Sequence, residues 1–597
     1  MTRRPPGAGP AASRRARRRE NAGELPHDIW THPADDPRLP LRPAVRTAAE
    51  PEPPDVWAPA PEPFDIAPPR PRVGRAAATP APAPGGSPTG PGEPSSRMAH
   101  AAAATAGLSV AGSVLGLVRD QGIAHLFGAG AESDAFLVAW TIPEVAATVL
   151  IEDAMALLMV PAFSAALAGG QGPRALVRGT LPRLLAALAL LTAALAAGAG
   201  WVVRVLAPGI ADPATAAACT RLTALTVLTF GAAGYLSAAL RAHRRFAAPA
   251  AIYVAYNTGI VAVLFTLHGH LGVRAAAAGV AVGGALMVAA QLPSFLKVLR
   301  SAAPTGWDGP RRRNPLGPAL LAPVVVFTLS RQAQVLVERF FAAPLPAGAI
   351  SHLNYAEKVA QLPMALSVMI VTVTFPVLSR ALADGDREQA RRRVERDLAL
   401  ACLVVLLGTA YVIACAPQII NVLFQRGEFT AADTADTATV MRVYALGLLG
   451  QSLVGALVRP YFSAAGPTWY PAAAMGLGLL VTAAADAAAV GPWGAYGIAA
   501  GNALGITVTA ALLLRGLGAH TVAVRLAAVA PRIGRITLAA LCATGAGWVV
   551  AHHLGDPVVA VAACAVAVPA VFAGAALAVR VPEVPYLLAT VTRKGRP

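Results

Sequence analysis

Charged residues are scarce in this sequence. Asp, Glu, Lys and Arg make up only 14% of its 597 residues, whereas hydrophobic residues make up 55%. A soluble globular domain carries about 25% charged residues, so the deficit indicates that lipid surrounds most of the chain. From about residue 100 onward, apolar stretches of roughly 18 residues or more alternate with short breaks rich in Arg, Gly or Pro. Such stretches are typical of transmembrane helices, because a helix satisfies its backbone hydrogen bonds within one segment.

Cysteine and metal-binding motifs are also scarce. The 5 cysteines lie scattered within apolar stretches and form no CxxC pair, and the 11 histidines form no HExxH or comparable spacing. We therefore expect neither a disulfide framework nor a metal site, and we assign the cysteines to packing. No organic cofactor is expected either.

Residues 1–98 differ in composition from the rest of the chain. They are rich in Pro, Ala and Arg and have almost no apolar periodicity, which predicts a disordered cytoplasmic tail. No apolar stretch follows the basic run Arg14–Arg19, so this run does not have the pattern of a signal peptide. It either contacts anionic lipid headgroups or only helps to keep the N-terminus inside.

The apolar stretches predict an all-α polytopic membrane protein with about fourteen transmembrane helices. We divide it into a first lobe of helices 1–6 (residues 99–300), a second lobe of helices 7–12 (301–515), and two extra C-terminal helices with a short cytoplasmic tail (516–597). The predicted spans are 101–126, 134–168, 177–207, 214–241, 247–267, 273–299, 316–343, 348–382, 392–414, 432–460, 468–488, 494–515, 534–553 and 557–580.

Arginine is distributed unevenly among the breaks between these spans. One set of breaks contains groups such as Arg244 with Arg245 and Arg311 through Arg313, whereas the alternate set, such as 127–133, has almost no Lys or Arg. The positive-inside rule then places both termini in the cytoplasm of a multi-pass plasma membrane protein. The high Ala, Gly, Pro and Arg content is typical of a GC-rich genome and fits a bacterium.

The two predicted lobes share a weak parallel repeat. Segment 2 contains Ile142-Pro143 and then Val160-Pro161, and segment 8 contains Leu362-Pro363 and then Phe375-Pro376. Two lobes that face each other are a known transporter design, and a chance match of two proline-containing helices is the alternative.

Charged and polar residues inside the spans are the candidate functional residues, because intramembrane charges are costly and usually face a cavity or a partner. Fixed cations in a cavity between two lobes suit an anionic headgroup, above all a phosphate or pyrophosphate. The alternative is that neighbours such as Arg119–Asp120 and Glu338–Arg339 only neutralise each other. The candidates are Arg119, Asp120, Asp134, Glu152, Arg331, Glu338, Arg339, Glu357, Lys358, Asp486 and Asn502.

Three separate motifs follow one another along the chain: Ser113 through Asp120 with Phe127-Gly128-Ala129-Gly130, Ser351 through Lys358, and Leu423 through Thr430 with Asp433-Thr434. In this order they resemble those of the MurJ/MviN family of lipid II flippases, which belongs to the multidrug/oligosaccharidyl-lipid/polysaccharide exporter superfamily. The resemblance covers about residues 101–580.

The resemblance implies two six-helix lobes around a central cavity, with the last two helices helping to form a groove for a lipid tail. It implies transport of a lipid-linked glycan pyrophosphate, the peptidoglycan precursor lipid II, from the inner to the outer leaflet by alternating access. Five residues match functional positions of the family motif and are implied to bind the substrate: Arg119, Asp134, Glu152, Ser351 and Lys358. Asp120, Glu357 and Arg331 join them as substrate-binding candidates because they are charges inside the spans. The residues offered for a coupling cation, Na⁺ or H⁺ driven by the membrane potential, are Glu338, Asp486 and Asn502.

The chain departs from the family pattern in its first lobe. Ser113 stands where Arg is usual, and after Ile-Pro the chain has Glu144 and then Ala147-Thr148 in place of an Arg pair. Two alternatives follow: a paralogue that exports another lipid-linked oligosaccharide, and a non-transporting scaffold whose tail recruits cell-wall synthesis proteins. A drug antiporter is disfavoured by the 6% aromatic content, and a membrane-embedded enzyme by the short outer loops. Neither the composition nor the motifs indicate a nucleic-acid partner.

Overall fold

The structure is a computed structural model that describes residues 94–168, 173–301, 318–364, 387–463, 468–520 and 526–582. Every regular element within these ranges is a helix. The predicted tail up to residue 93, the Phe375-Pro376 part of the repeat and Arg311–Arg313 lie outside the described residues. Helix α1 begins at Pro94, slightly before the predicted end of the tail at residue 98. Proline is tolerated in the first turn of a helix.

The first half of the fold contains ten α-helices and one π-helical segment, Ala147–Ala154. This segment interrupts the predicted second span between α2 and α3. The helices are α1 (Pro94–Phe127), α2 (Ala131–Ala146), α3 (Met155–Ala168), α4 (Pro173–Ala197), α5 (Ala199–Leu206), α6 (Pro213–Thr223), α7 (Leu225–Ala242), α8 (Ala247–Ala250), α9 (Ile252–Leu271) and α10 (Arg274–Ser301).

The second half and the C-terminal pair follow the same pattern of long helices with local breaks. The second half consists of α11 (Pro318–Ala342), α12 (Ala349–Ala360), α13 (Arg387–Ala414), α14 (Ala416–Phe424), α15 (Ala431–Leu446), α16 (Leu448–Ser463) and α17 (Tyr470–His520). The C-terminal pair is α18 (Leu526–His553) and α19 (Pro557–Ala578).

Nine helical segments among the described residues are long and apolar enough to cross a membrane, and a tenth is added when α15 and α16, bent by 44°, count as one span. Helix α17 is counted as one of the nine segments although it has 51 residues. At 1.5 Å per residue it would be about 75 Å long, more than twice the roughly 30 Å hydrocarbon thickness. Gly494 breaks its helical geometry, near the predicted boundary between spans 11 and 12. The number of fourteen spans stays a prediction.

Small residues allow the helices of each half to pack closely. In the first half α9 packs on α10 and α1, and α7 packs on α10; in the second half α11 and α16 pack on α17. The C-terminal helices α18 and α19 pack on each other, and α18 packs on α13. Contacts between the halves are made by α2 with α12, by α2, the π-helical segment and α5 with α11, and by α1 with α14.

Candidate functional site

Arg119 of α1 and Lys358 of α12 share one carboxylate partner, Asp120. Arg119 donates from Nε and Nη2 to Asp120 Oδ1 at 3.0 and 2.8 Å. Lys358 Nζ lies 3.3 Å from Asp120 Oδ2 and donates to Oδ1 at 3.3 Å. The two cations come from opposite halves of the fold, so the carboxylate links the halves. Arg119 and Asp120 are buried, where water screens an ion pair little.

An aromatic ring and an amide complete this charge cluster. The Trp140 ring centroid is 4.3 Å from the guanidinium carbon of Arg119 and 5.5 Å from the Lys358 nitrogen. At distances below about 6 Å the face of a Trp ring attracts a cation. Asn257 Oδ1 accepts from Arg119 Nη1 at 3.0 Å, while Asn257 Nδ2 donates to the carbonyl of Gly112 at 3.0 Å. Two cations and one anion give the cluster an excess of one positive charge.

Asp134 of α2 caps helix α12 across the two halves. Gly348 (φ 100°), which directly precedes the first turn of α12, has no side chain that could accept hydrogen bonds from the free N–H groups of that turn. Asp134 Oδ2 accepts from Gly348 N at 2.7 Å, and Oδ1 accepts from Ser351 N at 2.8 Å. Ser351 Oγ lies 2.6 Å from the same Oδ1 and 2.9 Å from Ser133 Oγ. A carboxylate at the positive end of a helix is stabilising, so these bonds hold the ends of α2 and α12 together.

The loop 425–430 joins the same end of the molecule. Glu428 N donates to the carbonyl of His125, near the end of α1, at 3.0 Å. His352 Nδ1 of α12 lies 2.9 Å from Thr437 Oγ1 of α15. We call this meeting point of α1, α2, α12 and the loop 425–430 the capped end. It is formed by both halves of the fold and is closed by hydrogen bonds.

A polar chamber of about 150 Å³ lies between α2, the π-helical segment, α11, α12, α16 and α17. Gln361 Nε2, just past the end of α12, donates to Glu357 Oε1 at 2.7 Å. The chamber is lined by three carboxylates, one guanidinium and five amides, and can therefore make many hydrogen bonds to a polar ligand. These residues are Glu144, Glu338, Glu357, Arg331, Gln332, Gln334, Gln361, Gln451 and Asn502.

The residues offered for ion coupling lie at the second-half wall of this chamber and behind it. Glu338 pairs with Arg339 at 3.1 Å and accepts a hydrogen bond from the Tyr444 hydroxyl. Within the described residues, neither carboxylate oxygen of Asp486 nor the side-chain carbonyl of Asn502 has a hydrogen-bond partner, although both residues are buried. Such oxygens are costly to bury alone. The Asp486 carboxylate can accept a proton or a cation, and the Asn502 carbonyl can coordinate a cation.

No metal site is evident in the part of the chain that the structure describes. There, no group of three or more His, Cys, Asp or Glu side chains is arranged to hold a metal ion. Of the five free cysteines, all but Cys542 are buried.

Glu152 lies apart from the chamber lining. It is an exposed residue of the π-helical segment, and its Oε1 accepts a hydrogen bond from the Tyr253 hydroxyl at 3.0 Å. Arg331, by contrast, lines the chamber.

The structure brings the predicted residues together in three places. Arg119, Asp120 and Lys358 form the charge cluster, and Asp134 and Ser351 close the capped end. Arg331, Glu338, Glu357 and Asn502 line the chamber, whereas Glu152, Arg339 and Asp486 lie outside its lining. Sequence reasoning did not identify Trp140, Asn257, Tyr444 or the chamber glutamines as parts of the site. An amide inside an apolar span, such as Asn257, was the available signal, because polar residues in a membrane are usually partnered.

Comparison with known proteins places the sequence in a family. The sequence matches the family described as "Lipid II flippase MurJ" over residues 123–562. The lipid II flippase MurJ of Burkholderia cenocepacia is 29% identical over 371 residues, which cover 60% of this chain and 72% of that protein. The probable lipid II flippase MurJ of Vibrio cholerae is 28% identical over 450 residues, 71% of this chain and 83% of the relative.

Solved structures agree on the fold. A structure of the lipid II flippase MurJ in an inward closed conformation superposes with a TM-score of 0.64 at 19% identity and covers 81% of this chain and 99% of its own. An inward-facing multidrug resistance MATE transporter of the MOP superfamily has a TM-score of 0.55 at 14% identity, covering 68% of this chain and 94% of its own. The predicted all-α membrane transporter fold is confirmed, and because the family match spans most of the sequence, the chain belongs to the MurJ family of lipid II flippases.

Proposed function

We propose that the chain flips lipid II, or a closely related lipid-linked glycan pyrophosphate, from the inner to the outer leaflet of a bacterial plasma membrane. The observation that carries this proposal is the pair of cations from opposite halves, Arg119 and Lys358, around the single carboxylate of Asp120. Pyrophosphate oxygens accept hydrogen bonds from guanidinium and ammonium groups as a carboxylate does. A substrate pyrophosphate can therefore replace Asp120 between the two cations. Binding would then depend on the distance between the halves.

Alternating access is the proposed mechanism. The Asp134–Ser351 and Asp134–Gly348 hydrogen bonds hold the capped end shut. On the basis of the arginine distribution, this end is proposed to lie outside and both termini in the cytoplasm. Loss of the Asp134 bonds frees the N-terminus of α12 and lets the halves separate at that end. The charge cluster would then be reached from the outer leaflet.

A cation or proton is proposed to drive the cycle, with Na⁺ and H⁺ as the two candidates. The support is the pair of buried residues with unpartnered oxygens, Asp486 and Asn502, together with Glu338. A bound cation would offset the cost of burying these oxygens. The second half would then change its internal packing when the ion leaves.

Two alternatives have specific support. The chamber is lined by three carboxylates and one guanidinium, which favours a headgroup with an amine or many hydroxyls and so a paralogue for another lipid-linked oligosaccharide. Residues 1–98 support the scaffold alternative, in which the tail recruits cell-wall synthesis proteins. The chain is proposed to catalyse no reaction, and its other partners are membrane lipids.

The proposal is tested by depleting the resident flippase of a bacterial host, expressing this chain, and measuring the lipid II that reaches the outer leaflet. We expect export to be restored, and to be lost in Arg119→Ala and in Lys358→Ala. Arg174→Ala is the matched control, because Arg174 donates to the carbonyl of Leu299 at the end of α10, away from the cluster.

Each outcome has a distinct meaning. Restored export that both cluster variants abolish supports a lipid II flippase. No export by a well-inserted chain contradicts lipid II as the substrate, and repeating the assay with other lipid-linked glycans separates the paralogue from the scaffold. Equal loss in Arg174→Ala would show that removal of any arginine harms the chain.

A further inference from the structure

Two acceptor oxygens without a partner belong to the lining of the polar chamber. Asn502 of α17 lines the chamber and is 4% exposed, and within the described residues its side-chain carbonyl accepts no hydrogen bond. Glu144 lines the chamber from α2 in the first half, and its Oε2 is likewise buried and without a partner in the described part of the chain. Such oxygens cost free energy unless a donor reaches them. We therefore expect a ligand of the chamber to supply hydrogen-bond donors.

The chamber lining also has an excess of negative charge. Among the described residues its carboxylates belong to Glu144, Glu338 and Glu357, and its guanidinium to Arg331. The formal charge of this lining is therefore −2. Glu338 pairs with Arg339 at 3.1 Å, and the formal charge is still −1 when Arg339 is included. A ligand of the chamber is thus expected to supply positive charge as well.

Helix α12 connects this negative chamber to the positive charge cluster. Lys358 belongs to the cluster, with its Nζ 3.3 Å from Asp120 Oδ2, and the residue before it, Glu357, lines the chamber. Successive residues of a helix point about 100° apart, so one turn of α12 presents a cation to one site and a carboxylate to the other. Together the two sites are complementary to a headgroup that has both a phosphate and an ammonium group.

We propose that the chamber binds an ammonium group of the transported headgroup while the charge cluster binds its pyrophosphate, and that Glu144 confers the preference for the amine. This inference rests on the proposed function and narrows the substrate to a lipid-linked glycan pyrophosphate with a primary amine in its head. An ammonium group has three N–H donors and one positive charge, so it supplies both of the properties that the chamber requires. Hydrogen bonds between an ammonium and a carboxylate are among the stronger ones in proteins.

The size of the chamber suits one end of a headgroup. Its volume of about 150 Å³ is below the roughly 300–1,000 Å³ of a pocket that encloses a drug-sized ligand, so an aminoalkyl group enters and the rest of the glycan stays outside. A neutral hydroxyl would donate to the same oxygens but leave the negative charge without a partner. The Asn502 carbonyl has two lone pairs, so it can accept from the ammonium and still contribute to the coupling-cation site proposed with Asp486.

Glu144 is also one of the positions at which the chain departs from the family pattern. The preference for an amine would therefore distinguish this chain from its relatives.

The experiment measures the binding of two polyprenyl pyrophosphates to the purified full chain in nanodiscs of phosphatidylcholine and phosphatidylglycerol, lipids without a primary amine. One probe carries a sugar with an aminoethyl substituent, and the other is the same compound with that amine acetylated. We expect the wild-type chain to bind the amine at least tenfold more tightly, a difference of about 1.4 kcal/mol. Glu144→Gln keeps the shape of the side chain and removes its charge, so we expect the preference to fall below threefold.

Glu132→Gln is the matched control. Glu132 is an exposed residue in the first turn of the same helix and does not belong to the chamber lining, so this variant should keep the wild-type preference. Retained binding of the acetylated probe shows that Glu144→Gln is folded. Where Glu144→Gln inserts poorly, Glu357→Gln provides the same comparison from the second half of the chamber.

Equal affinity of the wild-type chain for the two probes, an unchanged preference in Glu144→Gln, or a lost preference in Glu132→Gln would overturn the inference. Loss of the preference on addition of phosphatidylethanolamine would assign the chamber to a membrane phospholipid and overturn it too. If the wild-type chain prefers the amine but exports no lipid II in the depleted host, the proposed function fails and the chamber assignment stands. Export of lipid II together with equal binding of both probes gives the reverse result.

Discussion

At the scale of single residues, the most informative contact is the cap that Asp134 provides for α12. A helix normally takes its cap from the residue before its first turn, and here that residue is a glycine. The cap instead comes from a residue 214 positions earlier, in the other half of the fold. The stability of one helix end is thereby tied to the closure of the whole molecule.

Asp134→Ala should open the capped end. An N-cap contributes about 0.5–2 kcal/mol, so we expect amide exchange at Gly348 and Ser351 to accelerate by about 2- to 30-fold, together with a loss of transport. Hydrogen–deuterium exchange of the peptide that contains these amides measures the effect. Asp212→Ala is the matched control, because Asp212 caps α6 within the first half by accepting from Thr215 N at 2.9 Å. Unchanged exchange at Gly348, or an equal transport loss in Asp212→Ala, would contradict the assigned role.

Trp140 should affect the affinity for the substrate through its contacts with the cations of Arg119 and Lys358. Removal of the ring in Trp140→Leu costs a cation–π interaction of about 0.5–2 kcal/mol, so we expect pyrophosphate binding to weaken by about 2- to 30-fold. Trp140→Phe keeps an aromatic face and should retain most of the affinity. Calorimetric titration of the purified chain with a polyprenyl pyrophosphate measures the change. Trp548→Leu should leave the affinity unchanged, because Trp548 stacks on His552 of α18. A loss of affinity in Trp548→Leu, or no loss in Trp140→Leu, would refute the assignment.

At the scale of helices, local breaks matter as much as the helices themselves. The π-helical segment lies between two prolines, Pro143 and Pro161, and Thr148 of this segment lines the polar chamber. Turns of this type are frequent at functional sites. The break in α17 at Gly494 is of a different kind, because there the backbone itself leaves the helical region.

Gly494→Ala should destabilise the protein through the backbone alone. At φ 53° and ψ −132° an L-residue is strained by about 1–3 kcal/mol, while a new methyl group would meet only Leu345 at 4.0 Å. We expect a lower thermal unfolding midpoint in detergent micelles. Gly491→Ala is the matched control in the same region, because its methyl group would meet nothing within 4 Å and its φ is not positive. Equal midpoints for the two variants would argue against strain at Gly494.

The sequence predicted the helices and some of the site for different reasons. Apolar runs predicted the membrane fold, and charges inside those runs identified Arg119 and Lys358, because such charges are rare in lipid. The partners were harder to predict. Asn257 accepts a hydrogen bond from Arg119, which lies 138 residues earlier in the sequence. No local pattern encodes such a pairing. Trp140 resembled an ordinary packing residue, and the position of Thr148 in the chamber lining depends on the π-helical turn, which periodicity does not reveal.

At the scale of the whole molecule, the functional contacts lie between the halves. The charge cluster, the capped end and the polar chamber all use residues from both halves, so separation of the halves changes all three together. Residues of the cluster, the capped end and the chamber occupy positions 119 to 506, and the family match covers 123–562. Residues 1–88 lie outside both ranges. The transporter and scaffold alternatives therefore make opposite predictions for a truncated chain.

Deletion of residues 1–88 should leave flipping unchanged if the chain acts as a transporter, because every residue assigned to substrate, closure or ion coupling is retained. We would express the truncated and full chains at matched levels in the depleted host, and measure both lipid II in the outer leaflet and cell shape. Arg119→Ala in the full chain is the complementary control, since it keeps the tail and removes a cation of the cluster. Export by the truncated chain together with failure of Arg119→Ala would assign the activity to the membrane part. Normal cell shape with Arg119→Ala, and its loss on deletion of the tail, would instead assign the cellular role to recruitment by residues 1–88.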